Sequence, residues 1–484
     1  MAVRFIIMEA LISGSLIQRI LMETAEASMA QRGIQQGIHY TEGSVVRGVV
    51  RFSLPYLLSY LLQTLYGLAD LFIIGQFAPV AATTAVSVGS QVMHMLTVML
   101  VGLAMGATVS IGQAVGAKKD ASPYIGTTVT LFLALSVVLT GVLCALVRPI
   151  VSVMATPAEA VDGTVSYLLV CFLGIPFITA YNIISSVFRG MGDSRRPMYF
   201  VAVACVCNIA LDYLFIGALS LGPTGAALGT TASQAISVVL SWIVIRSHGA
   251  EMGIRLQKRD LTPDKGVLAR ILRIGLPIAM QDGLIQIAFI VITVIANRRG
   301  LNDAAAVGIV EKFISFVFLV PSSMLSTVSA LGAQNIGAGK PERARQTLYT
   351  AIAIAAGFEL IIVLLIQRIA EPVVALFTDP VDGAEVVRLG GQYLRGYIWD
   401  ALFAGIHFSF SGYFCACGRS ELSFLHNILA IVLMRIPGVY FASLRYPNTL
   451  FPMGIATACG SLTSVILCVA AFLLLRRKER KSIG

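Results

Sequence analysis

The sequence predicts an all-α polytopic membrane protein: twelve transmembrane helices in two six-helix bundles, related by a pseudo-twofold axis along the membrane normal. Three observations predict it. The 484 residues are 57% hydrophobic and 12% charged, with a mean hydropathy of +0.84, far from the composition of soluble domains. Apolar runs of roughly 20 residues, the length that crosses a hydrocarbon core of ~30 Å, recur from Arg51 to Arg476. Two phrases also return in register. "RFSLP" (Arg51 to Pro55) and "RIGLP" (Arg273 to Pro277) precede "QAVGAKK" (Gln113 to Lys119) and "QNIGAGK" (Gln334 to Lys340), with 58 positions from Pro55 to Gln113 and 57 from Pro277 to Gln334.

Because lipid offers the backbone no hydrogen-bond partners, each apolar run must be a helix. Hydropathy and flanking charge place spans at about 52–76, 86–114, 124–147, 165–188, 198–218, 225–246, 271–296, 304–333, 347–369, 390–414, 424–442 and 452–475. Six helices per half is an even number, so the second half enters the membrane in the same orientation as the first, a parallel repeat with a cavity between the lobes. The resulting division is a leader at 1–45, a first lobe at 46–247, a linker at 248–270, a second lobe at 271–476 and a tail at 477–484. The leader, broken by Glu9, Gly14 and Arg19, is neither a clean signal peptide nor a full span. It fits an amphipathic surface helix or an over-extended start.

Charge sets the orientation. With the Lys118/Lys119 loop in the cytoplasm, the loops holding Arg195/Arg196, Arg255 to Arg273, Lys340 to Arg345 and Arg419, and the tail, all lie there too. Both termini are then cytoplasmic in a plasma-membrane protein. The opposite loops are poor in Lys and Arg, with Arg298/Arg299 the clearest exception. The net charge of +10 reflects this topology and attraction to anionic lipid, and needs no nucleic acid. The eight cysteines lie in apolar segments without a CxxC or Cys/His spacing. No P-loop, nucleophile elbow or HExxH pair occurs, so neither an enzyme nor an ATP-driven pump is expected, and no cofactor.

Within the repeated phrase, Gly116 and Gly337 suit left-handed helix ends and the lysines suit a helix C-terminus at the lipid surface. The pairs Gly102/Gly106, Gly112/Gly116 and Gly225/Gly229 permit close helix packing, and Pro176, Pro277 and Pro321 suit kinks. His94 and His407 read as packing histidines.

Charges at bilayer depth cost at least ~2.5 kcal/mol, so the buried acids are the functional candidates. Gln63, Tyr66 and Asp70 share one helical face, as do Asn208 and Asp212. At ~1.5 Å per residue from their cytoplasmic starts, Asp70 lies about 27 Å and Asp212 about 21 Å deep. Two neighbouring carboxylates in low dielectric repel unless a proton or a sodium ion neutralises them. For sodium, Asp70, Asp212 and Asn208 would be ligands, with Asn182 and Thr230 as further neutral oxygens. In the second half Asp282, Asp400 and Glu311 either line a cavity for cationic substrate or pair structurally with neighbouring helices. Lys312 points away from Glu311, and Glu359 has no assigned role.

The segments "YGLADLFIIGQF", "QAVGAKKD", "FRGMGDSRRP", "NIALDYLFIG", "GPTGAALGT" and "QNIGAGKPERAR" resemble, in this order, those of the multidrug and toxic compound extrusion (MATE) transporters of the multidrug/oligosaccharidyl-lipid/polysaccharide flippase superfamily. The resemblance covers about Ser44 to Arg477. It implies a secondary antiporter that exports amphipathic, mainly cationic compounds in exchange for sodium or protons, contributes to antibiotic resistance, works as a monomer in lipid, and couples through Asp70 and Asp212 with Gln63, Tyr66, Asn182, Asn208 and Thr230 around them. The alternative within the superfamily is a lipid-linked oligosaccharide flippase. Where second-lobe-coupled members carry a Glu in the seventh helix, this chain has Ile285 and Gln286, and Asp400 lies about one turn from their tenth-helix acid, so second-lobe coupling is not expected.

Overall fold

The computed structural model describes residues 40–249, 257–378 and 383–483; most of the leader and the middle of the linker fall outside them. In chain order the segments are α1 (Val45–Phe77), α2 (Val80–Gly116), α3 (Ser122–Ala145), α4 (Ala158–Leu173 and Ile175–Gly190, bent by 48°), α5 (Arg195–Ala218), α6 (Gly222–Ser247), α7 (Lys265–Asn297), α8 (Leu301–Gly337), α9 (Pro341–Ala375), α10 (Ala384–Tyr397 and Trp399–Ala416), α11 (Ser420–Arg445) and α12 (Phe451–Arg477). Among the described residues, ten of these are single helices long and apolar enough to cross a membrane, and the bent α4 makes an eleventh. The span expected at 390–414 is instead the broken α10. Its leading helix carries Glu385, Arg388 and Arg395, which pair with one another or with Glu371 of α9, so this stretch is less apolar than its neighbours.

The segment starts follow from their caps. Ser44 accepts the amide of Arg47 at the head of α1, and Asp264 accepts that of Val267 at the head of α7, each filling one of the unsatisfied donors of a first turn. Pro55 and Pro277, the landmarks of the repeat, lie inside these two helices. Two π turns interrupt the α-helical hydrogen bonding, at Tyr213–Ala218 in α5 and at Ile431–Arg435 in α11, next to Asp212 and at Arg435 respectively.

Gly116 and Gly337 are the last residues of their helices, at the ends expected, but they are helical themselves, and the left-handed residues fall just beyond, at Lys118 (φ 54°) and Gly339 (φ 70°). The two glycines are needed for approach. A Cβ on Gly116 would collide with the carbonyl of Gln334, and one on Gly337 with the carbonyl of Gln113. The side chains of the same glutamines complete the crossing: Gln113 Nε2 donates to the Ala416 carbonyl at the end of α10 (2.7 Å), and Gln334 Nε2 donates to the Gly190 carbonyl at the end of α4 (3.0 Å). Gln113 Oε1 also accepts the guanidinium of Arg270. Each copy of the phrase therefore grips the opposite half around one axis.

This crossing lies at the end of the molecule that carries Lys118 and Lys340, here called the basic end. There the halves pack closely: Gly106 faces the Ile271 carbonyl, Gly275 faces that of Leu103, and Gly102 faces Ala279 and a carboxyl oxygen of Asp282. Apolar clusters join residues of both halves there, Val49, Phe52 and Tyr56 with Val320, Leu348 and Phe414, and Met105 and Val109 with Ile274 and Ile278. At the other end the large clusters are separate, one around Ile73, Phe172 and Ile216 in the first half and one around Ile292, Ile366 and Tyr393 in the second. The apolar clusters that join the halves thus lie at the basic end, and the large clusters at the other, here called the parted end, are each confined to one half. At the parted end Arg299 donates to Asp303 and to the carbonyls of Ser443, Tyr446, Pro447 and Thr449. It ties the α7–α8 turn to the α11–α12 turn, which accounts for this basic residue on the side opposite the basic end.

Overpacking a close contact costs about 1–3 kcal/mol. Gly116→Val or Gly337→Val is therefore expected to shift the closed/open ratio at the basic end by roughly 5- to 150-fold toward open, read as a lengthened spin-label distance across that end; an unchanged distance distribution would contradict the role given to these glycines.

Candidate functional site

In the first half, α1, α5 and α6 bring together four of the residues singled out above. Asp70 is 3% exposed, Asp212 fully buried and Asn208 buried. Thr230 Oγ1 donates to Asp70 Oδ2 (3.2 Å), and Asp212 and Asn208 stand beside Asp70. Asp70 Oδ1, both carboxyl oxygens of Asp212 and both amide atoms of Asn208 have no hydrogen-bond partner. Neither acid forms an ion pair among the described residues.

Local backbone geometry creates this pocket. Asp212 is the last α-helical residue before the π turn of α5, and its carboxyl lies against the bare Cα of Gly229, where a Cβ would collide with Asp212 Oδ1. The spacing of Gly225 and Gly229 thus serves more than helix packing: the second glycine makes room for an acid. The adjacent Thr230 then reaches Asp70. Two carboxylates, an amide carbonyl and a hydroxyl form an all-oxygen donor set that suits a small hard cation, and either carboxylate can instead take up a proton.

The other expected members lie further along the same stripe. Tyr66 stands between Asp70 and Gln234 of α6. Gln63 and Asn182 line a separate pocket nearer the basic end with Tyr56, Tyr60 and Arg189. There Asn182 Nδ2 donates to its own helix at Ile178 (2.9 Å), and Arg189 both donates to the Tyr56 hydroxyl (2.8 Å) and stacks on its ring (5.0 Å). Gln63 is seven residues, about 10 Å along a helix, from Asp70. The stripe Gln63–Tyr66–Asp70 is thus a polar track that runs from an arginine at its foot to the two carboxylates. Arg189 and Gln234 went unremarked in the sequence. Arg189 belongs to a run of loop-flanking basic residues, and only the α1 packing shows that it turns inward.

The second half differs. Asp400 is fully buried, and both its oxygens accept Arg435 Nη2 (2.8 and 3.0 Å), which also reaches Ser461 Oγ (2.8 Å). Glu311 Oε2 accepts Thr293 Oγ1 (3.1 Å) while its Oε1 is buried without a partner, and Lys312 on the neighbouring position is exposed. Asp282 sits in the α2–α7 contact against Gly102. Glu359 is fully buried with neither oxygen partnered. His407 packs against Phe408 and His426 (ring centroids 4.9 and 5.6 Å). Asp282, Asp400 and Glu311 are therefore on different helices with different partners, and Asp400 has its own internal cation.

Fold and site together define a duplicated multi-pass membrane protein of the secondary-transporter type, with uncompensated acids in one half. The MatE family model matches residues 55–214 and again 277–441, and the chain belongs to that family of transporters; it is not an enzyme. It is 28% identical over 407 residues to the probable multidrug resistance protein YoeA of Bacillus subtilis (strain 168), covering 83% of this chain and 87% of the relative, and 25% identical over 390 residues to the multidrug export protein MepA of Staphylococcus haemolyticus (strain JCSC1435), covering 80% and 85%. Its fold is similar to a solved structure described as the outward-facing conformation of a multidrug resistance MATE family transporter of the MOP superfamily, with a TM-score of 0.83 at 24% identity over 92% of this chain and 98% of that one.

Gly229→Ala tests the pocket without touching a polar atom. The added methyl is expected to displace the Asp212 carboxyl and lower cation-driven dye export at least about tenfold, an effect of ~1.4 kcal/mol or more, while Gly141→Ala, where a Cβ meets open space, leaves export at the wild-type rate. Equal export rates for the two variants would show that Asp212 does not depend on that contact.

Proposed function

We propose that this chain is a multidrug efflux antiporter that moves amphipathic, mainly cationic compounds out of the cell in exchange for inward sodium ions or protons, coupled at Asp70 and Asp212. The observation that carries the reading is the pair of adjacent, buried carboxylates with three of four oxygens unpartnered and no ion pair to a basic side chain among the described residues. An ionised carboxylate at that depth costs at least ~2.5 kcal/mol, and two side by side cost more, so the site is stable only with a cation or proton in it. The names of YoeA and MepA, multidrug resistance and export proteins, support the substrate class.

The basic end is cytoplasmic in this reading, since Lys118, Lys119, Lys340, Arg343 and Arg345 gather there. The sealed basic end and parted far end then make this the outward-facing state, with the two six-helix halves, 46–247 and 271–476, rocking about the crossed glutamines. Cation arriving from outside neutralises Asp70/Asp212 and removes the negative charge that holds a cationic drug, so the drug leaves before the halves close over the occupied ion site. Tyr66, Asn208 and Thr230 shape the ion site; Gln63 and Asn182 line the track below it. Arg189 at the foot of the track repels a cation that would otherwise slip through to the basic end.

A ligand shifts a conformational equilibrium only through differential affinity. Saturating the coupling cation is therefore expected to weaken binding of a fluorescent lipophilic cation by about 5- to 150-fold, and Asp70→Asn is expected to remove both this competition and export while the protein still inserts in the membrane. Dye efflux from proteoliposomes under an imposed pH gradient, then under a sodium gradient, identifies the ion. Wild-type efflux by Asp70→Asn under either gradient would overturn the assignment.

A further inference from the structure

The two halves build the same socket and fill it with opposite charge. In the first, a charged residue of the fifth segment, Asp212, lies against a glycine of the sixth, Gly229, and the following hydroxyl residue, Thr230, bonds Asp70. In the second, a charged residue of the eleventh segment, Arg435, lies against a glycine of the twelfth, Gly460 (a Cβ there would come within 2.8 Å of Arg435 Cβ and 3.1 Å of its Nε), and the following hydroxyl residue, Ser461, bonds Arg435. A π turn adjoins the charged residue in both. The acid of the second half, Asp400, sits in the first turn of the helix that follows the break in α10, where α4 has Pro176.

We propose that Arg435 is a tethered cation: its guanidinium permanently fills, at Asp400, the kind of site that an exchangeable cation fills at Asp70/Asp212, so the second half carries a latent monovalent-cation site that opens only when the guanidinium is removed. Four observations support the latent site. The one cation paired with Asp400 among the described residues is Arg435, and Ser461 is the neutral hydroxyl beside its carboxyl. The Tyr397 hydroxyl, within electrostatic reach of the pair, is buried with no hydrogen bond, and with Ser461 it offers neutral oxygens to a small cation. Arg435 makes all its hydrogen bonds through Nη2, while the rest of the guanidinium borders an interior pocket lined also by His407, Asn427 and Ser464, so truncation enlarges an existing cavity. Finally, the neutral pair explains how an arginine and an aspartate are tolerated at this depth at all. The other titratable groups facing the pair are Tyr393 and Tyr397 on α10, Glu311 on α8 and His407 on α10.

The identification of Asp70/Asp212 as the exchangeable site is the reading given above, and the test is arranged to be independent of it. Cation binding is measured on the purified full-length chain in detergent, with radioactive sodium ions at high pH and with a pH-indicator dye for proton uptake, in an Asp70→Asn/Asp212→Asn background. With Arg435 intact this background is expected to bind no exchangeable cation at Asp400, and proton uptake by Asp282, Glu311 and Glu359, common to all the variants, is subtracted. Adding Arg435→Met creates one site per chain, Arg435→Lys creates none, and Arg435→Met/Asp400→Asn abolishes the gain. Failure of a folded, monodisperse Arg435→Met chain to gain a sodium ion or a proton would overturn the proposal. Breaking a buried pair by one partner is destabilising whereas removing both is close to neutral, so should Arg435→Met alone not fold, the pair-deleted chain with Asp70 and Asp212 restored decides. It is expected to bind as many exchangeable cations as the wild type, and one fewer would show that Asp400 already exchanges its cation in the native protein. Loss of cation binding at Asp70/Asp212 in the wild type would refute the coupling reading alone and leave the Arg435 result standing.

Discussion

Two carboxylates held against each other where water is scarce, with no basic side chain to balance them, place a demand on everything around them. Asp70 receives a single hydroxyl donor from Thr230, and Asp212 receives none. A site meant only to hold helices together would satisfy those oxygens, because each buried, unpaired polar group costs about 1–3 kcal/mol and charged ones more. Leaving them open keeps the site hungry for a cation. The surrounding first-half cluster of Ile73, Ile74, Phe172 and Ile216 keeps the acids in low dielectric, and Gly229 makes the space. The acids are costly for the same reason that they are useful.

That local demand becomes a global motion only if the halves can part and meet without rebuilding. The crossed phrase suits this. Its central contacts are glycine backbone against glutamine carbonyl, and amide side chain against a helix-end carbonyl. Such contacts have one close-packed geometry and release as a unit, unlike interlocked large side chains. The clusters at the far end are each confined to one half, so the rocking proposed above would leave them intact and place its cost on the interface.

The duplicated architecture was legible in the sequence because hydropathy and the doubled phrase are properties of residue order. So was the acid stripe, since Gln63, Tyr66 and Asp70 on one face and Asn208 with Asp212 on another follow from helical periodicity alone. Three things were not. The purpose of Gly116 and Gly337 depends on which helix lies opposite, so local turn logic placed them rightly at helix ends but gave them the left-handed conformation that falls at Lys118 and Gly339. The separation of Asn182 from Asp70 depends on how the two parts of α4, broken at Gly174, pack in the bundle. The partner of Asp400 depends on the π turn that rotates Arg435 inward, and a one-residue shift in helical phase leaves almost no trace in hydropathy. Long-range packing decided each of these, and packing is what a single sequence conceals best.

The opposite signs of the two sockets have an electrical consequence. A charge that crosses the membrane potential changes its energy by about 2.3 kcal/mol per 100 mV. In the second half the Arg435–Asp400 pair is neutral and covalently part of the chain, so it contributes no net charge to any step that opens one end and closes the other. In the reading proposed above, the first-half acids alternate between negative and neutralised as the cation comes and goes, so Asp70 and Asp212 contribute a voltage-dependent step that the neutral Arg435–Asp400 pair does not. If Asp400 were bare it would be a further acid to load before the halves could move; on the proposal made above, the tethered guanidinium removes that requirement at Asp400 while the duplicated scaffold is retained.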